Sequence, residues 1–168
     1  MQILEKIDEG DVIIYADAGC QLNPLAVNRL QEYVDMVNNH EKGMLGFHLD
    51  IHDEYTWTKG EIFDFFRVRN NYSITHSRQL VGGIRVIRKM PETVYFYKMI
   101  LSIIDTNLHL FTDFPSNTPN FLGFIENRHD QSIYSIMMKL YGGLIIPDET
   151  WPINQLDKPI WASRMRTI

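Results

Sequence analysis

The sequence predicts an α/β fold, and three observations predict it. The run Asp11-Val-Ile-Ile-Tyr15 is apolar and β-branched, ends in the small residues Ala16-Asp17-Ala18-Gly19-Cys20, and leads into a helical pattern. Two further strand-like runs, Met44–Leu49 and Leu80–Ile87, alternate with segments of helical period. A helix pattern from about Asp130 to Leu140 is stopped by Gly142-Gly143 and followed by Leu144-Ile145-Ile146, another short strand.

In chain order, Met1 to Asp8 reads as the end of a helix. The Asp11–Tyr15 run does not alternate, which predicts a buried strand in a parallel arrangement. Asn23-Pro24 offers an N-cap followed by proline at the first helical position. Leu25, Val27, Leu30, Val34 and Val37 then recur at helical spacing. Thr58-Lys59-Gly60-Glu61 has the capping-box form, with Ile62, Phe63 and Phe66 on the helix behind it. Gly82 and Gly83 interrupt the Leu80–Ile87 strand, as a bulge or a close approach of backbone to a ligand does. Pro91 opens a helix to about Asp105, with Val94, Tyr97, Ile100, Leu101 and Ile104 on one side. Residues 106–126 contain two prolines, three asparagines and several aromatics, and predict a long loop of the kind that is usually functional or mobile. The Leu144–Ile146 strand is expected to be the last, and Trp151 and Trp161 in the tail are expected to pack onto the body.

The chain has 168 residues, enough for one domain. Hydrophobic residues at 45% and charged residues at 22% fit a globular protein rather than a disordered or membrane-embedded one. Aromatics reach 12%, which supplies a core and also suits a pocket that stacks flat rings. The net charge of -5, without a basic cluster, excludes duplex nucleic acid as the main partner. An acidic domain still binds a nucleotide diphosphate when a divalent cation screens the charge. The single cysteine, Cys20, excludes an internal disulfide framework and a Cys-rich zinc site. No apolar stretch reaches the roughly 20 residues of a membrane span. The first residues lack a signal-peptide pattern, so a cytoplasmic location is the expectation.

Asp17 stands just past the end of the first strand, where open α/β sheets bind ligands. A carboxylate there can hold Mg²⁺ or Mn²⁺ and, through it, a diphosphate; the plainer alternative is a turn cap. Gly19 lets the backbone approach closely or turn with positive φ. Glu126-Asn-Arg-His129-Asp130-Gln131-Ser132 precedes an amphipathic helix whose free N–H groups attract anions. His129 can ligate a metal or bond a phosphate, and Asp130 can act as a base. The alternative makes Asp130 an N-cap with Arg128 solvated. Gly82-Gly83 has a packing bulge as its alternative. His48, Asp50 and His52 fall on one side of an extended segment and have a metal-like composition, although no fixed ligand spacing is met. Cys20 reads as a buried small apolar residue.

Taken together, Gly10–Cys20, Leu80–Lys89 with Pro91-Glu-Thr-Val94, Phe124–Ser132 and Ile160-Trp161-Ala-Ser-Arg164 resemble a family of small GT-A type glycosyltransferases found among bacterial and large-virus polysaccharide enzymes. The resemblance covers nearly the whole chain. It implies a GT-A-like mixed sheet flanked by helices. It implies a transferase that moves a sugar from a nucleotide-sugar donor to a glycan acceptor hydroxyl, with Mn²⁺ or Mg²⁺ on the donor diphosphate. Asp17 would contact metal or ribose, with Ala18 and Gly19 beside it. Gly82 and Gly83 would line the donor and acceptor pocket, and His129 and Gln131 would bind there, His129 also as a metal ligand. Asp130 would be the base of an inverting enzyme, or would orient the sugar in a retaining one. The family's Asp-x-Asp motif is Asp17-Ala18-Gly19 in this chain, without the second carboxylate. The family's first βαβ region has no counterpart before Asp11, so the chain is expected to be truncated at its N-terminus. A metal-dependent phosphoester hydrolase using His48, Asp50, His52 and His129, and a non-catalytic module that binds nucleotide sugar or glycan, are the alternatives.

Overall fold

The computed structural model describes residues 2–151 and 155–163. In chain order its elements are α1 (Gln2–Lys6), β1 (Val12–Ala16), β2 (Gln21–Leu22), α2 (Val27–Asn39), β3 (Met44–Asp53), α3 (Gly60–Phe65), α4 (Tyr72–Thr75), β4 (Arg78–Leu80), β5 (Ile84–Arg88), α5 (Pro91–Thr106), α6 (Asp130–Tyr141), β6 (Leu144–Pro147) and β7 (Ile160–Trp161). With 41% helix and 20% strand, the chain is of the mixed α/β class, as the sequence predicts. Met1 and Arg164 lie outside the described residues. Among the described residues no helix is long and apolar enough to cross a membrane.

The chain divides into two compact units. The first comprises Met1–Phe47, Gly83–Tyr95 and Gly143–Ile168; the second comprises His48–Gly82 and Phe96–Gly142. β3 and α5 each contribute residues to both.

In the first unit, β1 pairs antiparallel with β5 from Val12↔Arg88 to Ala16↔Ile84. β5 pairs antiparallel with the start of β3 through Met44↔Ile87 and Leu45↔Val86. The expectation of a buried parallel first strand is therefore corrected. β1 ends the strand order β1-β5-β3-β4, and most of its residues are only half-buried. An unbroken apolar run does not by itself distinguish a central strand from an edge strand that is covered in part. β6 pairs β3, but it is not the last strand, because β2 and β7 form a separate two-stranded sheet, Gln21↔Trp161 and Leu22↔Ile160. Two-residue strands carry no period to read in a sequence.

Asn23 caps as expected, its side chain accepting from the Leu25 N–H at 3.1 Å. Pro24, however, opens a 3₁₀ turn, Pro24–Ala26, and α2 begins only at Val27. A 3₁₀ turn advances three residues per turn instead of 3.6, so the phase of the stripe changes. Leu25 and Val27 are left exposed, while Tyr33 and Val37 are buried and the Tyr33 ring meets Phe47 edge-on at 5.3 Å. Glu149 accepts from Arg29 Nε at 2.9 Å and Nη2 at 2.6 Å and from the Tyr33 hydroxyl at 2.6 Å, which ties the tail to α2. Trp161 is joined to the body as expected, through its strand pairing with Gln21, and its Nε1 donates to the Gln155 carbonyl at 3.1 Å. Trp151 does not; it is exposed.

The second unit is organised around α6, whose residues Ser132–Met138 are all buried. Gly142 ends the helix in the left-handed conformation, φ 81°, as its position predicts. Glu54, fully buried in a 3₁₀ turn after β3, accepts from Thr58 Oγ1 at 2.8 Å, Gln79 Nε2 at 3.2 Å, Ser135 Oγ and Lys139 Nζ. Thr58 is thereby diverted from the capping box expected of it. The N-terminus of α3 is satisfied from the 106–126 segment: Gly60 N–H donates to Asn120 Oδ1 at 2.7 Å and Glu61 N–H to Ser116 Oγ at 3.1 Å. That segment is irregular as expected, apart from a 3₁₀ turn at Leu108–Phe111. The stripe expected on α5 is displaced by one position, since Thr93, Phe96 and Ile103 are its buried residues and Leu101 is exposed.

Candidate functional site

The first unit places Asp17 immediately after β1, as the sequence predicts, with its side chain exposed. Its carboxylate is nevertheless held. The Tyr15 hydroxyl donates to Oδ1 at 2.6 Å. Its backbone N–H donates to the Gly83 carbonyl at 2.8 Å, and its own carbonyl accepts from Cys20 N–H at 2.8 Å, closing the turn through Ala18 and Gly19. Gly19 does not use positive φ; its carbonyl accepts from Ser163 Oγ at 2.9 Å. Cys20 is half-buried rather than buried, and burial, followed by the Asp17 charge, pushes its thiol pKa up. It is therefore a poor nucleophile.

Gly83 is a close approach. A Cβ at this position would lie 2.5 Å from Asp17 Oδ2 and 3.0 Å from its Cγ. The register shift expected near the glycine pair occurs elsewhere, on β3 between His48 and Asp53 opposite β4. The glycines instead form the link between β4 and β5.

In the second unit a Cβ on Gly82 would lie 2.8 Å from Gln131 Cβ. Gln131 Nε2 donates to Gln79 Oε1 at 2.9 Å, so the side chain against Gly82 is fixed from both sides. His129, with φ 54° and ψ -120°, occupies the N-cap of α6, and Asp130 is the first helical residue. Asp130 is thus not the N-cap, and its exposed carboxylate sits where the helix dipole favours negative charge. The strained backbone of His129 is of the kind that clusters at functional sites. Its Nε2 meets Asp113 Oδ1 at 2.7 Å. Arg128 is not simply solvated: its guanidinium lies 4.2 Å from the Trp57 ring centroid and pairs with Glu126 at 2.9 Å.

The structure therefore brings Asp17 to Gly83 and Gln131 to Gly82. Asp17 belongs to the first unit and His129, Asp130 and Gln131 to the second. Tyr15, Asp113 and Gln79 are partners that sequence reasoning missed. Tyr15 was detectable, because residues two apart on a strand share a face. Asp113 and Gln79 were not, being far from their partners in sequence.

His48, Asp50 and His52 lie on the half of β3 that belongs to the second unit. His48 Nδ1 is 4.0 Å from Asp50 Oδ1, and the His52 ring meets Trp57 at a tilt, with centroids 5.0 Å apart. Among the described residues no group of three or more His, Cys, Asp or Glu side chains is arranged to hold a metal ion. Asp17 alone still suits a cation delivered with a diphosphate, because Mg²⁺ is commonly held by one or two carboxylates plus substrate phosphates. Comparison of the chain with protein-family models, with curated proteins and with solved structures finds no match.

Proposed function

We propose that this chain is a GT-A type glycosyltransferase that moves a sugar from a nucleotide-diphosphate donor to a glycan acceptor hydroxyl. The observation that carries the reading is the exposed Asp17 carboxylate, fixed at the end of β1 against a glycine whose replacement would displace it. Asp17 holds the donor diphosphate through Mn²⁺ or Mg²⁺, or holds the ribose. A bound divalent cation would neutralise charge developing on the leaving diphosphate. Asp130 takes the acceptor proton in an inverting reaction, or orients the sugar in a retaining one. His129, its ring held by Asp113, and Gln131, held by Gln79, flank Asp130 at the start of α6.

A panel of nucleoside-diphosphate sugars, with and without Mn²⁺, tests this by thermal shift and by donor turnover. A donor at 100 times its Kd stabilises by about 2.7 kcal/mol, roughly 5–10 °C in Tm for a chain of this size. Asp17→Ala abolishes the shift, and Asp130→Ala removes turnover while keeping most of it. A panel without any shift or turnover refutes the assignment.

A further inference from the structure

We infer that Tyr15 is the positioning residue of Asp17, setting the carboxylate for its ligand; this rests on the function just proposed. Tyr15 is a large aromatic residue, 46% exposed, on a strand at the end of the strand order. Its cross-strand partner is Arg85, whose guanidinium lies 5.7 Å from the ring centroid. A cation over the ring face restrains the ring plane. The hydroxyl then reaches Asp17 Oδ1 at 2.6 Å, within the range of a charge-assisted bond.

Oδ2 lies against the Cα side of Gly83. The carboxylate is thus confined from two directions, by a donor on one oxygen and by backbone on the other. An exposed aspartate without these restraints samples several rotamers, and that freedom is lost on binding. Partners that orient a metal- or phosphate-binding group are typically worth tenfold to a hundredfold in affinity. Because the site is exposed, the lower end of that range applies.

The test measures Mn²⁺ binding by loss of the free-ion paramagnetic resonance signal, in the presence of UDP, GDP or ADP in turn. Tyr15→Phe keeps the ring beneath Arg85 and removes only the hydroxyl. It weakens Mn²⁺–nucleotide binding about tenfold while the melting temperature stays within about 2 °C, a separation that a purely structural role would not produce. Gly83→Ala pushes the carboxylate off the hydroxyl and gives a loss of the same order. Unchanged affinity in Tyr15→Phe overturns the inference and leaves the proposed function standing. If Tyr15→Phe does not fold, Gly83→Ala decides in its place, and unchanged affinity there overturns the inference. Wild-type protein that binds Mn²⁺ with none of the three nucleotides overturns the inference, and the nucleotide-sugar panel decides the proposed function separately.

Discussion

Replacing Glu54 by alanine removes the group on which the second unit is assembled. Its side chain is fully buried and takes donors from Thr58, Gln79, Ser135 and Lys139. The variant leaves an ammonium group whose side chain is 10% exposed, together with donors of three other residues that lose an acceptor. Removing one member of a buried ion pair costs about 3–5 kcal/mol. Lys139 lies near the surface and can turn its head partly toward water, so the lower end applies, about 3 kcal/mol. At roughly 2–4 °C per kcal/mol, Tm falls by about 6–12 °C. Circular dichroism measures the melt, and hydrogen exchange of the α6 amides reports the local loss directly. The paired variant Glu54→Leu with Lys139→Met removes both charges and recovers most of the stability, because no buried charge is left alone. A loss below about 1 kcal/mol in the single variant, or a double variant no better than the single one, would refute the reasoning. The outcome also bears on the candidate site, since Ser135 and Lys139 hold the helix that begins with Asp130 and Gln131.

Gly60→Ala places a Cβ 2.2 Å from the Pro119 carbonyl oxygen and 2.9 Å from its carbon, so backbone must move. A destabilisation of about 2–3 kcal/mol in urea titration is expected, and a change under about 0.5 kcal/mol counts against the docking of residues 106–126 on α3. Acid lability follows from three carboxylates whose pKa is lowered on folding. At Asp64 the Arg69 guanidinium outweighs burial, with Thr118 assisting. At Glu61 and Glu149 burial acts upward, but Lys59 and Asn117 overcome it at the first, and Arg29 and Tyr33 at the second. A lowered folded-state pKa means the unfolded chain binds the proton more readily. The stabilisation is therefore complete above the ordinary carboxylate range, about pH 4, and is lost as pH falls below it. Melts from pH 7 to pH 2 should stay flat to about pH 5 and then decline; replacing Glu149 by Gln should shrink the decline, and an unaltered profile would exclude its share.

How much was legible varies by element. The Asn23 cap, the proline that opens α5, the α6 helix and the Gly142 stop are local matters, since each depends on residues within a turn of one another. The position of Asp17 past a strand end was readable for the same reason. So was the demand for glycine at 82 and 83, although not what each would touch. The parallel arrangement expected of the first strand failed because apolar content reports how much of a segment is covered, not which strand covers it. Thr58 failed as a cap because Glu54 competes for its hydroxyl, and that buried carboxylate is fixed by Ser135, 81 residues further along.

By itself, then, the sequence determined the α/β class, most of the larger elements, the place of Asp17 past β1 and the start of α6 at Asp130, because periodicity, capping and backbone freedom act over a few residues. Tertiary structure decided the antiparallel pairing of β1, the two-stranded β2–β7 sheet, the hold of Tyr15 on Asp17, the bond between His129 and Asp113 and the diversion of Thr58. Apart from the Tyr15 contact and the Thr58–Glu54 bond, these depend on partners distant in sequence, and a hydrogen bond or a strand pairing forms only where folding brings its two halves within about 3–5 Å.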